Sequence, residues 1–242
     1  MTDNASPAPI RLLLVGHGRM GRAIEQLAPA RGFSIAGTLA SQANAGGAGL
    51  GRERLRTVDV VADFTRPDAV VANVCRVAEA GGRMVVGTTG WYDRLEEVRK
   101  VVEENGAGLV YAANFSLGVQ LFYRLAREAA RLGARWPQYE PFLVETHHRF
   151  KRDAPSGTAG ELARQLRPLL GERLPAIQSV RAGYVPGTHE FGLDAEGETL
   201  LLRHSARTRQ AFAEGALVAA RWVAAHKGFK HFSEILDGEG NL

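Results

Sequence analysis

An apolar run, Ile10-Arg11-Leu12-Leu13-Leu14-Val15, leads directly into Gly16-His17-Gly18-Arg19-Met20-Gly21, and a helical pattern with Ile24 and Leu27 on one face follows. The run is apolar except at Arg11, as a strand buried on both faces requires. The three glycines then have separate tasks. Gly16 permits a tight turn, Gly18 lets backbone approach a pyrophosphate, and Gly21 lets helix and strand pack closely. The hexapeptide alone says little. A strand before it and a helix after it predict a dinucleotide site, because the N–H groups at a helix start favour anions. The competing reading is a glycine-rich turn that binds nothing.

The next hundred residues repeat the alternation of strand and helix. Strands are predicted at Ser34–Leu39, Val58–Phe64, Arg83–Val86 and Gly108–Ala112, with helices at Asp68–Ala80 and Leu95–Glu104. This order predicts a parallel sheet with right-handed crossovers, whose ligands sit at the carboxyl ends of the strands. Gly16–Gly21, Thr65–Arg66, Gly87-Thr88-Thr89 and Ala113-Asn114-Phe115-Ser116 all fall at that edge. Thr88 and Thr89 offer hydroxyls there and Asn114 an amide, unless each is ordinary turn chemistry. The second strand ends Leu39-Ala40-Ser41-Gln42, with no carboxylate for ribose hydroxyls and no arginine for a 2′-phosphate. NADPH and NADH both stay open. Residues 43–51, rich in glycine and alanine, read as a flexible loop at the adenosine end.

After Ser116 the pattern changes. A long helix is predicted at Leu117–Leu132, a strand at Pro141–Val144, and further strands at Ile177–Tyr184, Thr188–Leu193 and Thr199–His204, before a last helix at Ala211–Ala225. The expectation is an α/β Rossmann-type domain over residues 1–115, with a C-terminal return at 208–242, and a second, α+β domain over 116–207. The densest chemistry lies in the second, at Glu145-Thr146-His147-His148-Arg149-Phe150-Lys151-Arg152-Asp153. Two imidazoles and an ammonium suit proton transfer beside an anion. Adjacent histidines in a polar loop are more often simply solvated, but the lysine adds weight. Only four of the 30 basic Lys and Arg residues are lysine, and a compact ammonium has a more tunable pKa than a guanidinium. Pro155-Ser156-Gly157-Thr158 then opens a helix, with Thr158 and Glu161 at capping-box spacing.

Other classes recede. A net charge of +4 over 242 residues, without a Lys/Arg run, gives no nucleic-acid arm. The single cysteine, Cys75, allows no intrachain disulfide and fits a reducing, cytoplasmic setting. No apolar run suits a membrane span and no early stretch suits a signal peptide, while residues 2–9 read as a disordered lead-in. No metal is expected. Two other hypotheses remain: a non-catalytic NAD(P)-binding sensor on this fold, and a semialdehyde dehydrogenase, which would need a thiol nucleophile.

Taken together the motifs resemble the 4-hydroxy-tetrahydrodipicolinate reductase family, long called dihydrodipicolinate reductase, of bacterial lysine and diaminopimelate synthesis. The match is carried by Gly18-Arg19-Met20-Gly21, Asp63-Phe64-Thr65, Gly87-Thr88-Thr89-Gly90, Ala112-Ala113-Asn114-Phe115-Ser116, the His-His-x-x-Lys loop and Asp153-Ala154-Pro155-Ser156-Gly157-Thr158-Ala159. The resemblance implies a dicarboxylate substrate, a homotetramer and an oxidoreductase using NADPH or NADH. It implies His147 as the acid–base residue, Lys151 as proton donor, and His148 with the Gly157 and Thr158 backbone at the substrate. Gly16, His17, Gly18, Arg19, Met20, Gly21, Gly87, Thr88, Thr89, Ala112, Ala113, Asn114 and Phe115 would hold the cofactor. Two departures stand out: the first glycine turn is one residue shorter than the family's, and the usual acidic residue after the second strand is missing.

Overall fold

Leu12, Leu13, Leu14 and Val15 are each at most 1% exposed, because helices cover both faces of the strand that carries them. The computed structural model describes residues 8–237, so positions 2–7 of the expected lead-in lie outside the described residues. The chain begins β1 (Ile10–Val15), α1 (Arg19–Leu27), β2 (Phe33–Leu39), α2 (Arg52–Leu55), β3 (Val60–Asp63), α3 (Pro67–Glu79), β4 (Arg83–Val86), α4 (Leu95–Glu104) and β5 (Gly108–Tyr111). It continues through α5 (Leu117–Gly133), β6 (Glu140–His147), α6 (Gly157–Leu170), β7 (Gln178–Arg181), β8 (Thr188–Ala195) and β9 (Glu198–Ser205). It closes with α7 (Gln210–Ala225), β10 (Gly228–His231) and α8 (Phe232–Asp237). Two units result: residues up to Phe115 with those from Phe212, and Ser116–Ala211.

In the first unit six strands, all parallel, stand in the order β10-β5-β4-β3-β1-β2. Alternate strand residues face opposite sides. Leu12, Leu14, Val60, Ala62, Val85 and Val110 meet Ile24 of α1 and Ala216, Leu217 and Val223 of α7. Leu13, Val15, Val61, Met84, Val86 and Leu109 meet Val70, Val74 and Val77 of α3 and Val98 and Val102 of α4. This is the doubly wound parallel sheet that the alternation of elements predicts. The edge strand β10 was not anticipated. It is four residues long, and Lys230 and His231 interrupt any apolar pattern.

The second unit is a mixed sheet in the order β7-β6-β8-β9, with β6 and β7 parallel and the other pairs antiparallel. Phe122, Tyr123, Ala126 and Ala130 of α5 and Leu162, Leu166 and Leu170 of α6 cover one face, against Leu143, Phe191 and Leu193. Strand β6 runs three residues past the expected Val144. Glu145 and His147 are therefore strand residues that share the helix-covered face with Leu143.

Two local expectations need correction. Residues 43–51 do not form an unanchored loop: a 3-10 turn spans Ser41–Gly47, and buried Asn44 holds it by donating to Asn73 at 2.8 Å. The cap of α6 is Ser156 rather than Thr158. Its Oγ accepts from the Ala159 N–H at 3.2 Å, while Glu161 pairs with Arg164. Ser156 stands one residue before the helix with extended backbone, which is the geometry a cap requires.

Candidate active site

At the carboxyl edge of the first unit's sheet, space is made by what the glycines lack. Gly16 has φ +94°, and a Cβ there would lie 2.5 Å from the Phe64 carbonyl oxygen. A Cβ on Gly21 would lie 2.2 Å from the Gly16 oxygen, whereas one on Gly18 would meet nothing within 4 Å. Gly18 caps α1 without a side-chain bond, and the helix has no acidic residue in its first turn. An open backbone at an uncompensated helix start suits a pyrophosphate, so the residues present fit a dinucleotide. His17 bonds Glu25 at 2.8 Å, Arg19 is exposed, and Met20 packs at the rim of the core.

The remaining edge residues divide by burial. Ala112 and Phe115 are core side chains, with the Phe115 ring 4.9 Å from that of Phe232. Ala113 and Thr89 are exposed, Asn114 is half-buried, and the Phe64 ring crowds the Gly87 α-carbon. Thr88 does not turn its hydroxyl to the surface. It donates to Asp63 at 3.2 Å, because Asp63 is a fully buried carboxylate that needs donors. Asp63 also accepts from the Thr65 N–H at 2.9 Å, the Thr65 hydroxyl at 2.6 Å and Asn73 at 2.7 Å. Burial pushes this carboxyl above the ordinary carboxylate range, against those donors. Asp63 thus fastens the segments after β3 and β4 and, through Asn73 and Asn44, the turn after β2.

In the second unit the His-His-x-x-Lys segment leaves β6, and the chain then runs through Asp153 to the start of α6 at Gly157. His147 is bonded through Nδ1 to Glu145, which is fully buried. Lys151 Nζ donates to both Asp153 oxygens at 2.8 Å. The Nδ1 of His148 is buried with no partner, while its ring lies 6.0 Å from Phe150. Gly157 and Thr158 open α6, again with no acidic residue in the first turn, and the Thr158 carbonyl accepts from Tyr123 at 3.0 Å. Burial lowers the His147 pKa, which Glu145 opposes and the Lys151 and Arg181 charges reinforce. Burial would raise Glu145, but bonds from Arg181, Ser179 and His147 hold it at about 2. The site therefore combines a fixed anion, an imidazole biased toward its neutral form, an ammonium and a helix start. It can accept or donate protons beside a bound carboxylate.

Models of dihydrodipicolinate reductase match the chain over residues 10–115 for the N-terminal part and 118–236 for the C-terminal part. A 4-hydroxy-tetrahydrodipicolinate reductase of Cupriavidus necator is 37% identical over 86% of this chain and 91% of its own. The chain belongs to the dihydrodipicolinate reductase family. It is an NAD(P)H-dependent oxidoreductase with a nucleotide-binding fold in its first unit. Another reductase of that name, from Christiangramia forsetii, is 31% identical over 94% of this chain and 98% of its own. Among solved structures, dipicolinate-bound dihydrodipicolinate reductase from Paenisporosarcina sp. TG-14 shares the fold with a TM-score of 0.73, at 23% identity over 94% of this chain and 99% of that one. An amine dehydrogenase from Mycobacterium smegmatis shares it at 0.63 and 14% identity, over 95% of this chain and 96% of that one.

The family's glycine turn and His-His-x-x-Lys loop were legible as motifs. Arg181, Ser156 and His189 were not read as site residues. Arg181 and His189 come from β7 and β8, where sheet register brings them to His147, and Ser156, at the start of α6, joins them through His189. Cys75 lies in α3 and is half-buried; burial raises its thiol, so it is no thiolate nucleophile. Glu145, His147 and His189 offer atoms within 4.8 Å of one another, as metal ligands would. The Arg181 guanidinium on Glu145 already supplies the positive charge there.

Proposed function

We propose that this chain reduces 4-hydroxy-tetrahydrodipicolinate to tetrahydrodipicolinate with loss of water, using His147 as acid–base residue and Lys151 as proton donor. The nicotinamide, as NADPH or NADH, supplies the hydride. The protein supplies the rest. The start of α6, through Gly157 and Thr158, receives one substrate carboxylate with His148 beside it. Hydride arriving at an unsaturated ring carbon builds electron density, and the Lys151 ammonium quenches it with a proton. His147 takes a proton from the ring carbon next to the hydroxyl-bearing one, and that proton leaves with the hydroxide as water. The observation that carries this reading is the clustering of His147, Lys151 and their carboxylate partners at the start of α6 in a chain of this family. The end of β2 has no carboxylate to repel a 2′-phosphate, which supports use of NADPH as well as NADH.

The second unit is also read as the assembly region of a homotetramer. Val180 and Leu201 stand exposed on the sheet face opposite its helices and support that reading. Among the described residues no helix is long and apolar enough to cross a membrane. The chemistry and the lone cysteine fit a cytoplasmic enzyme.

The test is oxidation of NADPH and NADH with substrate generated in place by dihydrodipicolinate synthase, for wild type and Lys151→Ala. Expected is turnover that falls about 10²–10⁴-fold in the variant, with cofactor binding retained. Tight cofactor binding without turnover in wild type would instead make the chain a binding protein.

A further inference from the structure

Three residues on the helix-covered face of the second unit's sheet have no task in the reaction as described: Glu145, Arg181 and His189. Register assembles them. Glu145 pairs with Ser179 on β7 and His189 on β8, and His147 pairs with Arg181 on β7. Paired residues share a face, so Ser179, Glu145 and His189 form one row across three strands, and Arg181 and His147 form the next. Glu145 Oε2 accepts from His147, and Oε1 accepts from Arg181 Nη2 at 2.7 Å. The same Arg181 nitrogen donates to the Asp153 carbonyl at 2.5 Å, and the Asp153 carboxylate holds Lys151. One guanidinium therefore ties the strand that carries His147 to the loop that carries Lys151.

We propose that Glu145 and Arg181 are a positioning pair for the reaction: Glu145 selects the His147 tautomer, and Arg181 fixes Glu145 and the Lys151 arm relative to each other. This rests on the assignment of His147 and Lys151 made above. An ionised carboxylate only accepts hydrogen bonds, so His147 Nδ1 must carry the hydrogen and Nε2 becomes the working nitrogen. Space beside Nε2 is kept by Gly187, where a Cβ would lie only 2.8 Å away. His189 stands edge-on to the same ring at 5.2 Å. His189 is itself held by Ser156 Oγ at 3.0 Å, the same atom that caps α6. The imidazole and the ammonium are thus fixed by one connected set of bonds, and the ring contact with His189 sets the helix start against it.

The pair also sets the charge around His147. Facing that ring are Glu145 on its own strand, Arg181 on β7, His189 on β8, and Lys151 in the loop. Glu145 is the one anion among the groups whose charge acts on it, so it alone favours the imidazolium. Removing it lowers the His147 pKa further.

The test measures kcat, KM and the pH profile of kcat for wild type, His147→Gln, Glu145→Gln, Arg181→Lys and Arg181→Met. The ¹⁵N shifts of His147 are recorded alongside as a tautomer readout. For Glu145→Gln, kcat should fall about 10²-fold with KM changed less than about threefold, as for a misplaced catalytic group. Its His147-governed pH limb should move down by about one unit or more, and the Nδ1–H tautomer should lose its dominance. Arg181→Met should lower kcat comparably, and Arg181→Lys should recover part of it, because the charge remains without the fork. An unmoved pH limb with an unchanged tautomer in Glu145→Gln overturns the proposal; if that variant does not fold, the same readouts on Arg181→Lys decide. Should His147→Gln keep wild-type kcat, the acid–base assignment falls instead, and the tautomer readout still judges the pair.

Discussion

Among the described residues each unit buries one carboxylate completely, Asp63 in the first and Glu145 in the second, and the two are pushed in opposite directions. Asp63 is met by an amide, two hydroxyls and a backbone N–H, all neutral. Glu145 is met by a guanidinium, an imidazole and a serine. The same chemical group serves as a fastener in one place and as a fixed charge in the other. The contrast follows the division of labour in a hydride-transfer enzyme. A dinucleotide brings its own charge and reactivity, so its unit needs shape. A substrate that must lose water and gain a proton needs titratable groups whose charges are set by neighbours.

If the dinucleotide side works by shape, the largest effect should come from filling a closed space. Gly21→Val places a branched side chain where even a Cβ lies 2.2 Å from backbone oxygen. Unfolding in urea should show a loss above about 4 kcal/mol, with cofactor fluorescence quenching abolished. A stable, cofactor-binding variant would break the comparison. Asp63→Ala comes next. It strips four donors of their acceptor and should cost about 3 kcal/mol, without moving the pH limb of kcat, since no group it touches exchanges protons with substrate.

A proton-handling side should instead declare itself through pH. Burial drives His189 down to about 4 from the ordinary 6.5. As pH falls the unfolded chain takes up that proton first, so stability is full above 6.5 and is lost between 6.5 and about 4. The loss should reach about 3 kcal/mol in urea titrations, and His189→Gln should remove that share while leaving the part due to His147 and His204, which shift the same way. Glu145 contributes in a separate window, lost only as pH falls from 4.5 toward about 2. The smallest stability change belongs to Gly18→Ala, where a Cβ meets nothing. It should stay within about 0.5 kcal/mol, while the cofactor KM rises severalfold because the methyl occupies the approach to the pyrophosphate.

What could be read from the sequence follows the reach of each interaction along the chain. The glycine turn, the strand–helix alternation and the His-His-x-x-Lys loop are local patterns, and each was legible as such. Arg181 was not, since it lies 36 residues from Glu145 and looks like one more arginine in a chain rich in them. His189 and Ser156 meet across 33 residues through the pairing of β6 with β8 and the start of α6. Asp63 stood in a recognisable Asp-Phe-Thr triplet, yet its burial and its link to Asn73 and Asn44 depend on how α3 packs. The direction of the Thr88 hydroxyl was not legible for the same reason: a buried carboxylate, invisible in the sequence, draws it inward.

One feature of the first unit bears on synthesis. Its sheet ends in β10, and one face of that sheet is covered by α7, so residues beyond Phe212 complete a unit that begins at β1. The intervening unit is continuous in sequence. On the ribosome it is whole while its neighbour still exposes Leu12, Leu14, Val85 and Val110 to water. The segment that emerges first must therefore wait longest for its partners, and that interval is when a holdase chaperone would have the most apolar surface to grip.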